Sequence, residues 1–190
     1  MGKFFGKKKE EKESPQSQYL PEKKSPIEIE FAENFTKRGG KFIYCENSAA
    51  TAHYFKEILH ENNWTLEDIE SDSPILSSFF KLNSSQKSPQ ALAMHCEYLI
   101  ANKGAILVCN RQIKEKKLSE LCQNLIIVAD TSAFKSDVSE AMTAINHKYT
   151  ESRPSNITTL NAYDPTKEND FLSYGGNAKH LYLLVQEVNE

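Results

Sequence analysis

The stretch Cys96-Glu-Tyr-Leu-Ile-Ala-Asn-Lys-Gly-Ala-Ile-Leu-Val108 is an apolar run that is broken once, at Asn102, Lys103 and Gly104. Asn and Gly both tolerate positive φ, so the break predicts a tight turn between two short strands. Further along, Leu125-Ile-Ile-Val-Ala129 is a continuous β-branched run, which is typical of a strand covered on both faces inside a parallel sheet. Together the two segments predict an α/β fold with a mostly parallel sheet and helices on both faces.

Upstream, the sequence predicts a helix over residues 27–38 that ends at a Gly-Gly pair, and then a first parallel strand over residues 41–46. Asn47 and Ser48 follow this strand directly, and Ser48 is expected to cap a helix that runs to about residue 62. Open α/β folds bind their ligands at the carboxyl edge of the sheet, where this pair would lie. The pair is therefore either part of a ligand site or only a helix cap.

Downstream of the 125–129 strand, Ser136 is the predicted N-cap of a further helix. The apolar residues of this helix follow the i, i+3, i+4, i+7 spacing of a buried face, and they are Val138, Ala141, Met142 and Ile145. A short strand over residues 156–160 and a last apolar strand over residues 181–185 complete the domain.

Small polar residues and glycines fall just after or within the predicted strands, a pattern that favours a small anionic metabolite bound at the sheet edge. The candidate ligand-binding residues are Asn47, Ser48, Asn156, Thr158, Asp170, Gly176 and Asn177. The glycine pair beside Asn177 would let backbone N–H groups approach an anion, and a plain turn before the last strand is the alternative reading.

A chain of 190 residues is long enough for one ordinary domain. Its net charge is −3, but the first twenty-four residues hold seven lysines and four glutamates, which gives +3 there and −6 in the rest. We therefore predict a disordered basic N-terminal arm over residues 1–26 and a single α/β domain over residues 27–190. An acidic domain argues against a nucleic-acid surface.

The four cysteines are widely spaced, form no C-x-x-C pair and lie in or beside apolar segments, which indicates buried reduced thiols. No metal and no cofactor is predicted. No apolar run approaches the roughly twenty residues of a membrane span, and the basic start lacks the apolar core of a secretory signal, so we expect a cytoplasmic protein. Weak contact of the arm with a membrane surface, through Phe4, Phe5 and the neighbouring lysines, is an alternative to a solvated tail.

His95 and Cys96 are adjacent, which suggests a base beside a nucleophile. Neighbouring side chains on a strand point to opposite faces, so a catalytic dyad of these two residues is not expected. Residues 109–117 are polar and then mostly basic, and they are predicted to form a solvated loop ahead of a short turn.

The Cys96–Val108 stretch, the 125–129 strand, the helix after it, the 156–158 strand and the final segment resemble, in this order, the LUD domain, the family of lactate-utilisation protein C. The resemblance covers about residues 90–188. It implies an α/β fold similar to the NagB/RpiA/CoA-transferase group. It also implies a cytoplasmic role beside iron–sulfur partner proteins in the oxidation of lactate to pyruvate.

The chain departs from the family after Thr158. Family members carry a Gly-Pro-Ser stretch, a Thr-Ala-Asp-Ile-Glu signature and a Gly-x-His-Gly-Pro turn, where this chain reads Thr159-Leu-Asn-Ala-Tyr163 and Tyr174-Gly-Gly-Asn-Ala178. The signature acid and histidine have no clean counterpart. The sequence therefore resembles a divergent subgroup of the domain.

Three hypotheses follow. The first is an accessory protein of lactate or organic-acid metabolism that binds a small anion at the sheet edge. The second is a non-catalytic interaction module that kept the fold but lost the signature site, and that docks on a partner through its surface or its arm. The third is an enzyme related to the acyl-CoA transferases, with Glu97 as the nucleophile, because Glu97 is the carboxylate within the central run.

Overall fold

The computed structural model describes residues 25–85, 88–162 and 179–188. In chain order, strands β1 to β9 are Lys41–Cys45, Ile69–Ser71, Ala91–His95, Tyr98–Ile100, Ala105–Val108, Asn124–Asp130, Phe134–Lys135, Thr158–Leu160 and His180–Gln186. Helices α1 to α5 are Ile27–Lys37, Ser48–Glu61, Pro74–Ser77, Asn110–Ile113 and Val138–Lys148. Single 3-10 turns lie at Leu66–Asp68, Ala101–Lys103, Leu118–Glu120 and Thr131–Ala133.

Five strands form a parallel sheet in the order β1-β9-β6-β3-β2. The central strand is β6, and its residues Leu125–Ala129 are all buried. Leu125 and Ile127 belong to the core cluster that contains α1, whereas Ile126 and Val128 belong to the cluster that contains α2. Both faces of the sheet are therefore covered, and the predicted α/β fold with a mostly parallel sheet and helices on both faces is confirmed.

The Cys96–Val108 stretch forms the predicted hairpin, in which β4 and β5 pair antiparallel with Ile100 opposite Ala105. The hairpin does not join the parallel sheet, however, but forms a second sheet in the order β7-β4-β5-β8. Leu99 and Ile106 pack into the cluster beneath the parallel sheet, so this second sheet shares one face of the first with α1. A hairpin buried on both sides has no polar face, so its sequence lacks the alternation of apolar and polar residues that a solvent-facing antiparallel pair shows.

Helix α5 covers the outer face of the second sheet, where Ala141 and Ile145 pack with Leu107. The predicted buried face is therefore confirmed, although the helix packs on the hairpin rather than on the strand that precedes it. Asp137, not Ser136, caps this helix, because its carboxylate accepts the backbone N–H of Glu140 at 2.9 Å.

The first helix, the first strand and α2 lie where the sequence predicts them, and one correction concerns the residue that caps α2. Gly39, at φ 86°, follows α1, and β1 follows the glycine pair. Asn47 rather than Ser48 caps α2, since its side-chain oxygen accepts the backbone N–H of Ala50 at 2.9 Å.

The predicted solvated loop over residues 109–117 is wrong at its start. Residues Asn110–Ile113 form the one-turn helix α4, and Gln112 and Ile113 are buried. Gln112 is buried because its amide has partners on both sides, a tertiary arrangement that local polarity does not reveal.

Residues 1–24 lie outside the described residues, so the disorder of the arm and its contacts stay a prediction. The proposed turn at residues 164–166 and the glycine pair near Asn177 also lie outside them. Within residues 25–85, 88–162 and 179–188, no helical segment has the length and apolar character that crossing a bilayer requires.

Candidate functional site

A cleft of about 490 Å³ opens at the carboxyl ends of β3 and β6, where they meet β7 and α5. His95 is the last residue of β3, and Asp130 is the last residue of β6. The polar side chains that line the cleft are His95, Glu97, Asp130, Ser132, Lys135 and Lys148. This is the sheet edge at which open α/β folds bind small molecules, and the volume is within the usual range for ligand sites.

Glu97 anchors the wall of the cleft. Its side chain is 1 % exposed, and both carboxylate oxygens accept hydrogen bonds. Gln112 Nε2 donates to Oε1 at 2.8 Å, Lys148 Nζ donates to Oε2 at 3.1 Å, and the Tyr149 hydroxyl lies 3.0 Å from each oxygen. The Cys109 thiol adds a weaker contact at 3.4 Å. A buried carboxylate with this many donors is kept ionised and fixed in position.

Three separate elements bring these donors together. Glu97 lies between β3 and β4, and Gln112 lies on α4, which follows β5. The backbone N–H of Cys109 donates to Gln112 Oε1 at 2.8 Å, which turns the amide N–H₂ toward Glu97. Lys148 and Tyr149 come from the end of α5, so the pairing ties both sheets to this helix.

The pKa values of the pair follow from burial and hydrogen bonding. Burial disfavours the charged form of Glu97, but the hydrogen bonds from Gln112 and Lys148 and the positive charge of Lys148 outweigh burial, so the pKa of Glu97 is lowered. Burial likewise disfavours the ammonium of Lys148, yet its hydrogen bonds to Tyr149 and Glu97 raise the pKa of Lys148 to about 12. Both groups are therefore charged at neutral pH.

Acidification should remove the contribution of Glu97 to stability. Because the pKa of folded Glu97 lies below the ordinary glutamate value of about 4.3, its contribution is present above that pH and is lost as the pH falls through the folded pKa. We expect the difference in free energy of unfolding between the wild-type protein and Glu97→Gln to be widest at neutral pH and to shrink as the pH falls below the ordinary glutamate pKa. Urea denaturation at several pH values measures it, and a difference that stays constant on acidification would contradict the prediction.

Lys135 is the second cation of the cleft. Its ammonium donates to the backbone carbonyls of Phe134, at 3.0 Å, and Ser132, at 3.4 Å, and lies 5.1 Å from the centroid of the Tyr98 ring. The Lys148 ammonium lies 6.0 Å from the same ring centroid. Among the described residues, Lys135 has no carboxylate partner within ion-pair distance, so its charge is available to an anion in the cleft.

The thiol of Cys96 also lines the cleft but is not activated. Burial and the negative charges of Glu97 and Asp130 raise the pKa of Cys96 to about 12. A thiol that stays protonated at neutral pH is a poor nucleophile, in line with the expectation against a dyad with His95.

The predicted ligand residues near the first strand lie elsewhere on the sheet edge. Asn47 and Ser48 follow β1, which is at the opposite end of the sheet from β3, and neither lines the cleft. The oxygen of Asn47 is already engaged in capping α2. A binding role for this pair stays a prediction.

Thr158 belongs to the second sheet, where it pairs in β8 with Val108. Asn156 adopts a positive φ of 52° just before this strand, and neither residue lines the cleft. The structure therefore does not bring this pair together with Asn47. Asp170, Gly176 and Asn177 lie outside the described residues, and their role also stays a prediction.

Sequence reasoning did not single out Lys135 and Lys148, which line the cleft, and it considered His95 only as a partner of Cys96. Glu97 was the one residue of the cleft wall that the sequence pointed to, since a carboxylate within an apolar run is expected to be buried and to need partners. Within the described parts of the chain, no group of three or more His, Cys, Asp or Glu side chains could hold a metal ion.

A second, smaller cavity of about 280 Å³ lies at the amino edge of the sheet. Its polar groups are satisfied by one another, since the Tyr182 hydroxyl is bonded to both Lys41 and Asn62 at 3.0 Å. Lys41 is also paired with Glu61 at 2.7 Å. This cavity is therefore the weaker candidate for a ligand site.

No family model matches the chain, and no curated protein matches it. A search of solved structures finds the crystal structure of a DUF162 family protein from Deinococcus radiodurans, with a TM-score of 0.60 and 14% identity. The match covers 85% of this chain and 96% of that chain. The chain has the fold of a DUF162 family protein. DUF162 is the LUD-domain-like family, so the resemblance seen in the sequence extends to the fold.

Proposed function

We propose that the protein binds a small organic-acid anion in the cleft and acts as an accessory protein of organic-acid metabolism in the cytoplasm. The observation that carries the proposal is the ammonium of Lys135, which lines the cleft and has no carboxylate partner among the described residues. The metabolic context, including a role in lactate utilisation, comes from the resemblance of the sequence to the LUD domain, and the DUF162 match supports the fold alone.

The two lysines and two carboxylates of the cleft balance one another formally, so the feature that favours a small anion is the Lys135 ammonium, unpaired among the described residues, rather than the net charge. Lys148 is neutralised in place by Glu97, and the carboxylate of Asp130 accepts the backbone N–H of Ser132 at 2.9 Å and the Ser132 hydroxyl. The charge of Lys135 is balanced only by backbone carbonyls. An incoming carboxylate would therefore pair with Lys135 without displacing an existing ion pair.

The structure favours a positioning role for Glu97 over the nucleophile of the third hypothesis. A nucleophilic carboxylate needs one free oxygen at the substrate, whereas both oxygens of Glu97 accept hydrogen bonds and its side chain is 1 % exposed. Glu97 instead fixes the Lys148 ammonium at the wall of the cleft. Binding, rather than acyl transfer, is the activity that this geometry supports.

Neutralising Lys135 should weaken anion binding. We expect Lys135→Met to raise the dissociation constant for the acid that binds most tightly, among lactate, pyruvate and their longer homologues, by about tenfold to a hundredfold. A charge-assisted hydrogen bond contributes roughly 1.5–3 kcal/mol. Isothermal titration calorimetry measures the constant, after a thermal-shift screen has chosen the acid.

The matched control is Lys103→Met, which removes an exposed lysine from the hairpin turn and should leave affinity unchanged. Equal affinity in Lys135→Met and the wild-type protein would overturn the assignment of the site. If the wild-type protein bound none of these acids, the proposed function itself would fail.

The iron–sulfur partner proteins that the LUD resemblance implies are part of the same proposal. The second hypothesis, an interaction module that docks through the arm, predicts that deletion of residues 1–24 abolishes partner capture without changing the thermal stability of the domain. Ligand binding in the cleft is the observation that separates the two, because a module that has lost its site would bind no acid.

A further inference from the structure

The hydrogen-bonding capacity of His95 is left unused by the protein. His95 ends β3 and lines the cleft. Its Nδ1 atom is buried and has no hydrogen-bond partner among the described residues. Buried polar atoms are nearly always paired, so an unpaired one at a cleft calls for an explanation.

The burial of Nδ1 decides where the proton of a neutral imidazole lies. In folded proteins a buried N–H group without an acceptor is rarer than a buried acceptor without a donor. The proton is therefore favoured on Nε2, which makes that nitrogen a donor.

Among the described residues none forms a hydrogen bond with the His95 side chain, and the carboxylates near it bond to other groups. Glu97 accepts from Gln112, Lys148 and Tyr149, and Asp130 accepts from Ser132. His95 is only partly buried and lines the cleft, and only its Nδ1 is a buried atom without a partner, so its Nε2–H group is accessible to solvent or to a ligand.

We infer that His95 is a specificity-determining residue, whose Nε2–H donates a hydrogen bond to a second oxygen of the ligand. That oxygen is a hydroxyl or carbonyl oxygen along the chain of the acid whose carboxylate pairs with Lys135. The inference rests on the proposed function and adds a preference to it: the site selects acids that carry such an oxygen over plain aliphatic acids.

The test compares butanoate with 2-hydroxybutanoate and 3-hydroxybutanoate, which have the same charge and differ from it by one hydroxyl. Wild-type protein should bind at least one hydroxy acid about tenfold more tightly than butanoate, the factor that one hydrogen bond of ~1.4 kcal/mol gives. His95→Phe should abolish this preference, so that the dissociation constants of the variant for butanoate and for the hydroxy acids differ by less than about twofold.

Two further variants guard against a merely structural effect. His95→Gln keeps an N–H donor and should retain part of the preference, and it remains informative if the larger phenylalanine disturbs folding. His53→Phe removes an exposed histidine from α2 and should leave all three dissociation constants unchanged.

Equal binding of butanoate and the hydroxy acids by the wild-type protein would overturn the inference while leaving the proposed function intact. A preference that survives in His95→Phe would overturn it as well, because another donor would then be responsible. Failure of the wild-type protein to bind any of the three acids would count against the proposed function and would remove the basis of the inference.

Discussion

Replacing Gly104 by alanine should lower the free energy of unfolding by about 3 kcal/mol, the sum of a left-handed backbone penalty and a steric one. Gly104 ends the hairpin turn at φ 52° and ψ 43°. A Cβ atom placed there would collide with the backbone nitrogen of Phe35 and the carbonyl carbon of Asn34, and would lie 2.8 Å from the Asn34 oxygen. Backbone atoms of a packed helix cannot move aside as the end of a flexible side chain does.

The close approach at Gly104 docks α1 on the hairpin. Asn34 Nδ2 donates to the carbonyl oxygen of Ala101 at 2.9 Å, and Phe35 is buried in the shared core beside Leu99. Moving α1 outward to admit a methyl group would break this hydrogen bond and open the core. Thermal denaturation should show a midpoint lower by roughly 6–12 °C, as expected for a chain of this size.

Asn63→Ala is the matched control for Gly104→Ala. Asn63 has nearly the same backbone conformation, with φ 56°, but already carries a Cβ, so only the left-handed penalty of about 1 kcal/mol applies. Equal losses in the two variants would show that the steric contact with α1 contributes nothing, and the packing described for Gly104 would then be wrong.

The turn at Gly104 was predictable from sequence, but the sheet to which the hairpin belongs was not. Asn-Lys-Gly marks a chain reversal through local backbone preferences, which act within a few residues. Whether the hairpin pairs with β6 or with β7 and β8 is decided by contacts between distant segments, such as Leu99 opposite Phe134 and Ile106 opposite Leu160. One sequence holds no direct record of those pairings.

The difference between local signals and contacts between distant segments also explains how much of the site could be predicted. A carboxylate at Glu97 inside an apolar run indicates a buried charge that needs partners, and so the residue was singled out. Its partners Lys148 and Tyr149 lie 51 and 52 residues further along and reach it only because α5 packs on the hairpin. Lys135 had no local signal at all, since it lies in a polar segment like any exposed lysine. The general rule for open α/β folds predicted a ligand site at the carboxyl edge of the sheet. It did not predict which strands form the cleft at that edge.

Replacing Glu97 by alanine should lower the free energy of unfolding by about 3 kcal/mol, at the low end of what removal of one partner of a buried ion pair costs. The low end applies because the Lys148 side chain is 51 % exposed and can return to water. The loss comes instead from the surroundings that stay buried, since the N–H₂ group of Gln112 loses its acceptor and a cavity replaces the carboxylate. Urea denaturation at neutral pH measures the change.

The control for Glu97→Ala is Glu61→Ala, which breaks the ion pair of Glu61 with Lys41. That pair is the shorter of the two, at 2.7 Å against 3.1 Å, but both of its side chains are more than half exposed. Exposed ion pairs contribute about 0–1 kcal/mol, so Glu61→Ala should be nearly neutral. If it cost as much as Glu97→Ala, distance rather than burial would govern the two pairs, and the view of Glu97 as the buried anchor of the cleft wall would be wrong. A large loss of stability in Glu97→Ala alone would instead identify burial as the cause, because both substitutions remove a carboxylate that is paired with a lysine.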